Sequence, residues 1–373
     1  MILIIQDGFY YPGKKTVAEG GGAISNYLLL MYLKYYFDVV MLTNVNASIV
    51  KDINIEGVEI RNVNTKILPK AGIINTYREC KMFSKQIRVS AELYKPNIII
   101  SSSKIIYDSV RIAKQMNIPS AIWVRAYENY FNIDELKYSS NLKKVDLLVK
   151  KILMSKASLF AFQNADLVLS NSFYMKNRVY EKFRVNSEVI YPPVEIIKNS
   201  EAGEKSRRVG FLKPDLRKGL NIVIDIAKNM KDTEFICFGK KPVNCERIEQ
   251  DVKNLKFQGW CADQGRLFSS FRILLVPSLW DEPFGRVAVE AINYGVLPII
   301  SNKGGLPETV NQSDIIVNDP YNIELWIEKI EYYMNNIGIY NRSIHELKKH
   351  IEVFSVENQG KKLVRHLLNL INR

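Results

Sequence analysis

Histidine is nearly absent from this chain of 373 residues: the three it has, His345, His350 and His366, all fall near the C-terminus. That placement excludes a histidine-based catalytic triad or a zinc site built on the earlier sequence. Cysteine is as sparse. Cys80, Cys237, Cys245 and Cys261 form no CxxC pair and are too scattered for a disulfide framework, so they read as ordinary buried thiols. No apolar run approaches the roughly 18 residues of a membrane-spanning helix. The opening MILIIQD lacks the basic start of a secretory leader and reaches Asp7 at once, so a cytoplasmic protein is expected. The dinucleotide fingerprint GxGxxG, internal repeats and low-complexity tracts are missing too, as is a DxD carboxylate pair placed to hold a metal.

What the chain does have is an uneven positive charge. Residues 1–195 carry 26 Lys plus Arg against 17 Asp plus Glu, and the remainder carries 26 against 22, within a net charge of +13. The first half is therefore the part drawn to an anionic partner, whether a membrane surface, a lipid diphosphate or nucleic acid. Nucleic acid is not expected, because no basic face interleaved with aromatics and no known motif is found. Residues 76–93 read as a basic amphipathic helix. Residues 142–162 read as another, with Lys143, Lys144, Lys150, Lys151 and Lys156 among Val145, Leu148, Ile152 and Leu159. This second helix either lies on an anionic membrane or packs on the core with a solvated basic side.

Short strand-like runs at 2–5, 39–42, 58–60, 98–101, 120–124, 209–212, 235–238, 273–276 and 297–300 alternate with helical periodicity. No hairpin signal is read between them, so the pattern predicts parallel, doubly wound α/β sheets. Two domains suit the length, 1–195 and 205–350. Pro192 and Pro193 stiffen the join, the polar run 198–208 links the halves, and the charged tail of about 350–373 returns to the first domain.

The most informative stretch is 277–310, PSLWDEPFGRVAVEAINYGVLPIISNKGGLPETV. A buried strand precedes it. Pro283 suits the first turn of a helix that Gly295 ends, and a second strand then runs into Gly304 and Gly305. Glu282 and Glu290, eight residues apart, are separated by at most roughly 12 Å of helical rise. Between them the amides of Phe284, Gly285, Arg286 and Val287 open a helix N-terminus, a seat for an anion. Carboxylates for hydroxyls flanking a phosphate seat fit a sugar nucleotide. Upstream, Arg217, Lys218 and Gly219 close a strand-loop-helix turn, and Glu19, Gly20, Gly21 and Gly22 form a glycine-rich turn after the first strand.

These strings, EPFGRV-x-x-EA with GGLPE and the upstream Lys-Gly, resemble the E-x7-E motif of retaining GT-B glycosyltransferases of family 4, the glycosyl transferases group 1. The resemblance spans nearly the whole chain, with its specific motifs between Val209 and Val310. It implies a GT-B fold, two Rossmann-like doubly wound parallel-sheet domains facing a deep cleft, the first binding the acceptor and the second the nucleotide sugar. It further implies that Glu282 contacts the transferred sugar, Glu290 binds the ribose, and Lys218 neutralises the donor diphosphate with help from Arg217 and the amides after Pro283. Lys213 stands as a substitute for an arginine many relatives carry after the first strand of this domain. Gly20, Gly21 and Gly22 would lie where donor phosphate and acceptor meet. Arg125, Tyr127 and Glu128 occupy the strand end where many members have a histidine, and would face the acceptor. The expected activity is metal-independent, retaining hexose transfer from a UDP- or GDP-sugar to a glycan or lipid-linked acceptor in bacterial surface polysaccharide synthesis, at the inner face of the plasma membrane, with no cofactor. Rival readings are a catalytically impaired GT-B scaffold subunit and a non-hydrolysing sugar-nucleotide 2-epimerase.

Overall fold

Four consecutive apolar residues, Ile2 to Ile5, call for a strand covered on both faces. β1 (Ile2–Gln6) is such a strand, fully buried and paired in parallel with β2 (Val39–Thr43) and β5 (Ile98–Ser102). The computed structural model describes residues 1–6, 21–43, 53–63, 72–127, 155–197 and 206–372, and the chain divides into two units, 1–193 with 356–373, and 194–355.

The sheet of the first unit runs β3-β4-β2-β1-β5-β6-β7-β8, with β3 (Ile53–Ile55), β4 (Val58–Asn62), β6 (Ser120–Val124), β7 (Leu167–Ser170) and β8 (Glu188–Val189). Alternate side chains of β1 point to opposite faces. Ile2 and Ile4 pack with Leu29, Leu30 and Leu33 of α1 (Gly21–Leu33) and with Leu363, Val364 and Leu367 of the last helix (Val356–Ile371). Leu3 and Ile5 pack with Phe83, Ile87 and Ala91 of α2 (Gly72–Tyr94) and with Ile112 and Ala113 of α3 (Ile106–Gln115). Residues 155–164 form α4, and α5 (Phe173–Phe183) follows β7. The helix expected over 142–162 lies outside the described residues up to 154.

One expectation fails here. β3 and β4 form an antiparallel hairpin turned at Glu56 and Gly57, both with positive φ (48° and 93°). Asn54 Oδ1 accepts the Gly57 N–H at 2.8 Å, the local chemistry such a two-residue turn needs.

The second unit has the strand order β11-β10-β9-β12-β13-β14, all parallel: β9 (Arg208–Leu212), β10 (Glu234–Phe238), β11 (Leu255–Gly259), β12 (Ile273–Val276), β13 (Leu297–Ser301) and β14 (Ile316–Val317). Its helices are α6 (Leu220–Asn229), α7 (Cys245–Asp251), α8 (Gln264–Ser269), α9 (Arg286–Asn293), α10 (Ile323–Asn335) and α11 (Ile337–Ile351); the last helix of the chain is thus α12. This is the doubly wound dinucleotide-fold order, in which the direction of winding reverses between the central strands β9 and β12. In open α/β sheets, the crevice outside the carboxyl ends of the strands at such a switch point is where ligands bind.

Candidate functional site

Three loops meet at the switch point of the second unit. The loop after β9 ends in a short 3-10 turn, Leu216–Lys218, whose N-cap Asp215 accepts the Arg217 N–H at 2.8 Å. Gly219 closes it at φ 88°, and a Cβ there would stand 2.1 Å from the Pro277 carbonyl oxygen, so only glycine lets the loop after β12 approach this closely. Leu279 N–H donates to the Arg217 carbonyl at 2.9 Å and ties the two loops together. The third loop, after β13, braces the same place: Gly304 lies at φ 60° with the Glu282 carbonyl 2.2 Å from where its Cβ would be, and Gly305 N–H donates to that carbonyl at 2.7 Å. Gly304 and Gly305 of the GGLPE string are therefore structural supports of Glu282.

These constraints bring Lys218 and Glu282 together. Lys218 Nζ donates to Glu282 Oε1, with the lysine side chain 29% exposed and the glutamate side chain 9%. Ser278 Oγ donates to the same Oε1 at 2.5 Å, and Ser301 Oγ donates to the Ser278 carbonyl at 2.8 Å. The Trp280 ring gathers both basic residues of the first loop, Lys218 Nζ at 5.2 Å and the Arg217 guanidinium at 5.9 Å from its centroid. Arg217 also pairs with Asp215 at 3.3 Å. Lys213 takes a left-handed conformation (φ 57°) and donates its backbone N–H to the Phe238 carbonyl at 2.7 Å.

The helix start differs from the one expected at Pro283. α9 begins at Arg286, because Gly285 adopts φ 105° and the Glu282 carbonyl before Pro283 is already held by Gly305. The first turn of this helix is therefore opened by Arg286 and Val287 rather than by Pro283. Phe284, expected beside a ligand, is 2% exposed and packs edge-on against Phe354 at 5.2 Å, so its ring belongs to the core. Within α9, Arg286 Nε donates to Glu290 Oε1 at 2.6 Å, one turn along the same face. Burial pushes the Tyr294 phenol up, with the Glu290 carboxylate adding to it.

Sequence reasoning missed Ser278, Ser301 and Trp280. Ser278 and Trp280 lie inside the PS-x-W-x-E string, but only the fold reveals that both side chains converge on the Lys218 and Glu282 pair.

In the first unit, Arg125 follows β6. Its guanidinium stacks 4.3 Å from the Trp123 ring centroid, and Nη1 lies 3.5 Å from Gln6 Oε1, which also accepts from Asn26 Nδ2 at 2.7 Å. Asn171 Nδ2 donates to the Arg125 carbonyl. Tyr127 is buried, and its hydroxyl donates to the Tyr174 hydroxyl at 3.0 Å, so it braces this strand end from inside. Gly21 and Gly22 open α1, and a Cβ on Gly22 would meet nothing within 4 Å. Gly20 and Glu128 lie outside the described residues. Among the described residues, no group of three or more His, Cys, Asp or Glu is placed to hold a metal, and no helix is long and apolar enough to cross a membrane.

Two Rossmann-type units, one of strand order 3-2-1-4-5-6 with its polar loops at the switch point, are the GT-B architecture. The fold matches sucrose-phosphate synthase from Thermosynechococcus elongatus at a TM-score of 0.75, with 16% identity, over 100% of this chain and 99% of that one. It matches Anabaena HepE in complex with UDP at 0.70, with 16% identity, over 99% of both chains. Residues 195–350 match the family model described as glycosyl transferases group 1. A curated relative, an uncharacterized 42.6 kDa protein in the cps region of Klebsiella pneumoniae, is 27% identical over 186 residues, covering 48% of this chain and 48% of that protein. The chain thus spans about half the length of the first curated relatives it matches.

Proposed function

We propose that this protein is a retaining glycosyltransferase that moves a hexose from a UDP- or GDP-sugar to a hydroxyl of a glycan or lipid-linked acceptor, in the synthesis of a bacterial surface polysaccharide. The observation that carries the proposal is the juxtaposition of Lys218, Glu282 and the amino end of α9 at the switch point of the second unit. A similar fold with UDP bound and a relative from a cps region support the donor and pathway class.

The barrier to such transfer is cleavage of the bond between sugar and phosphate, so negative charge growing on the departing diphosphate must be stabilised where it develops. Lys218, Arg217 and the amides of Arg286 and Val287 supply that stabilisation. Glu282 holds a hydroxyl of the transferred sugar and Glu290 a hydroxyl of the ribose. The departing phosphate oxygen takes the proton of the acceptor hydroxyl, and the chemistry runs without metal or cofactor. Incubation with radiolabelled UDP- and GDP-sugars, preceded by a thermal-shift screen of nucleoside diphosphates, tests this reading; failure of every nucleotide to bind and of every donor to transfer its sugar ends it.

The first unit takes the acceptor, with Arg125 at the end of β6 facing an anionic group on it. Its α2 helix fits an anionic membrane surface: Arg78, Lys81, Lys85 and Arg88 share the exposed side with Tyr77, Met82, Val89 and Leu93. Basic heads beside partly sunk apolar chains are what interfacial helices present.

A further inference from the structure

The two donors on Glu282 differ in kind. Lys218 reaches it through a four-carbon stem that is 29% exposed, whereas Ser278 is completely buried and sits on backbone pinned from both sides. Ser301 Oγ holds the Ser278 carbonyl at 2.8 Å, and the next residue, Leu279, donates its N–H to Arg217 at 2.9 Å. Ser301 is itself completely buried at the end of β13. Residue 278 is therefore where the loops after β9, β12 and β13 are cross-tied. Both hydrogen bonds described for the Glu282 carboxylate fall on Oε1 and none on Oε2. A hydroxyl donating to a carboxylate at 2.5 Å is a charge-assisted bond, among the stronger kinds.

We propose that Ser278 is the fixed positioning residue of this site: it holds Glu282 by Oε1 and presents Oε2 to the sugar when Lys218 leaves the carboxylate for the donor diphosphate. The inference rests on the glycosyltransferase reading above. A doubly charged diphosphate competes with one carboxylate for the same ammonium, and a lysine stem swings between them at little cost. Without Ser278, the departure of Lys218 leaves Glu282 with neither anchor just as the sugar arrives. Trp280, beside Lys218 at 5.2 Å, keeps the ammonium near both anions during that exchange.

The test is a kinetic comparison of wild type, Ser278→Ala, Ser278→Thr and Ser301→Ala, with UDP and GDP binding measured by calorimetry on the same samples. Ser278→Ala is expected to lower kcat by about 10- to 100-fold, as small misplacements of a reacting group do, while nucleotide affinity stays within about threefold, since uniform binding is untouched. Ser278→Thr keeps the hydroxyl and recovers part of the rate. Ser301→Ala, one hydrogen bond further out, gives a smaller fall and serves if Ser278→Ala does not fold. A merely structural role would not give this split, in which kcat falls, nucleotide affinity is kept and the hydroxyl of Ser278→Thr restores rate. A wild type that transfers sugar while Ser278→Ala keeps kcat within twofold overturns the positioning role and leaves the glycosyltransferase reading standing. A wild type inert with every donor overturns both.

Discussion

Lys218 and Glu282, 64 residues apart in sequence, share an ion pair in which the ammonium donates to a carboxylate that is almost fully covered. Each is thereby the other's counter-ion, and neither is a surface charge whose removal would pass unnoticed. A buried pair loses more when one partner is deleted than the pair itself contributes, because the survivor is left uncompensated.

Replacement of Lys218 by alanine is accordingly expected to lower kcat/KM by at least 100-fold, about 3 kcal/mol of lost transition-state stabilisation, on the scale of removing one oxyanion donor. Glu290→Ala should raise the KM for the nucleotide sugar and abolish measurable transfer at ordinary donor concentrations. Far-UV circular dichroism of both variants should match the parent. Near-normal turnover by both would refute the assignment of the site.

The supports of Glu282 are testable without any substrate. Gly304→Ala puts a Cβ 2.2 Å from the Glu282 carbonyl at a positive φ, so it should destabilise the protein by roughly 1–3 kcal/mol or more, read as a lower melting temperature. Gly338→Ala, at the start of α11 with nothing within 4 Å of the new methyl, should be neutral or stabilising by up to about 1 kcal/mol. Equal melting temperatures for the two variants would contradict the crowding at Gly304.

Two histidines give the protein a sensitivity to mild acid. Burial holds the His350 imidazole below its ordinary range despite the Glu308 carbonyl beside it, and burial does the same to His366, against the pull of Glu188 and alongside Arg365 and Lys362. A folded-state value below the unfolded one means that the unfolded chain takes up the proton first. Stability is therefore retained above the ordinary histidine value of about 6.5 and falls as the pH drops below it. Melting curves between pH 7.5 and 5.5 should show this slope in the parent, and His350→Gln with His366→Gln should flatten it.

The α2 surface makes a separate claim. Vesicles containing phosphatidylglycerol should sediment the protein while pure phosphatidylcholine vesicles leave it in the supernatant. Lys81→Ala with Lys85→Ala should weaken that binding about 30-fold at low salt, near 1 kcal/mol per charge. Equal binding to both vesicle types would remove the membrane from the proposal.

How much of this could be read from residues alone follows from where the physics is local. The strands β1, β12 and β13 are buried on both faces, so they announce themselves as unbroken apolar runs, and Gly295 marked the end of α9 because a left-handed stop favours glycine. The β3 and β4 hairpin escaped notice although Val58 to Ile60 read as a strand, because the edge strand β3, INI, is only three residues long and the Glu-Gly turn before β4 signals weakly. The true start of α9 was hidden for another reason. Pro283 satisfies every local preference for a first helical turn, but Gly304 and Gly305 of the loop after β13 bridge to Glu282, and the helix starts only after Gly285. Glu282, Glu290 and Lys218 were legible through their flanking strings. Ser278 was not, since a serine gains its meaning here only from the carboxylate that the fold sets against it.

The placement of α12 bears on how the molecule is made. Leu363, Val364 and Leu367 complete the apolar layer over Ile2, Leu29 and Leu33, and Gly360 sits so close to Tyr32 that a Cβ would fall 2.4 Å from its ring. The unit that is translated first thus waits for residues synthesised after the whole of the second unit, which can finish folding on the ribosome while its elder neighbour still displays a greasy, unsealed flank. Nascent chains stalled before residue 356 should consequently draw chaperones to the amino-terminal half.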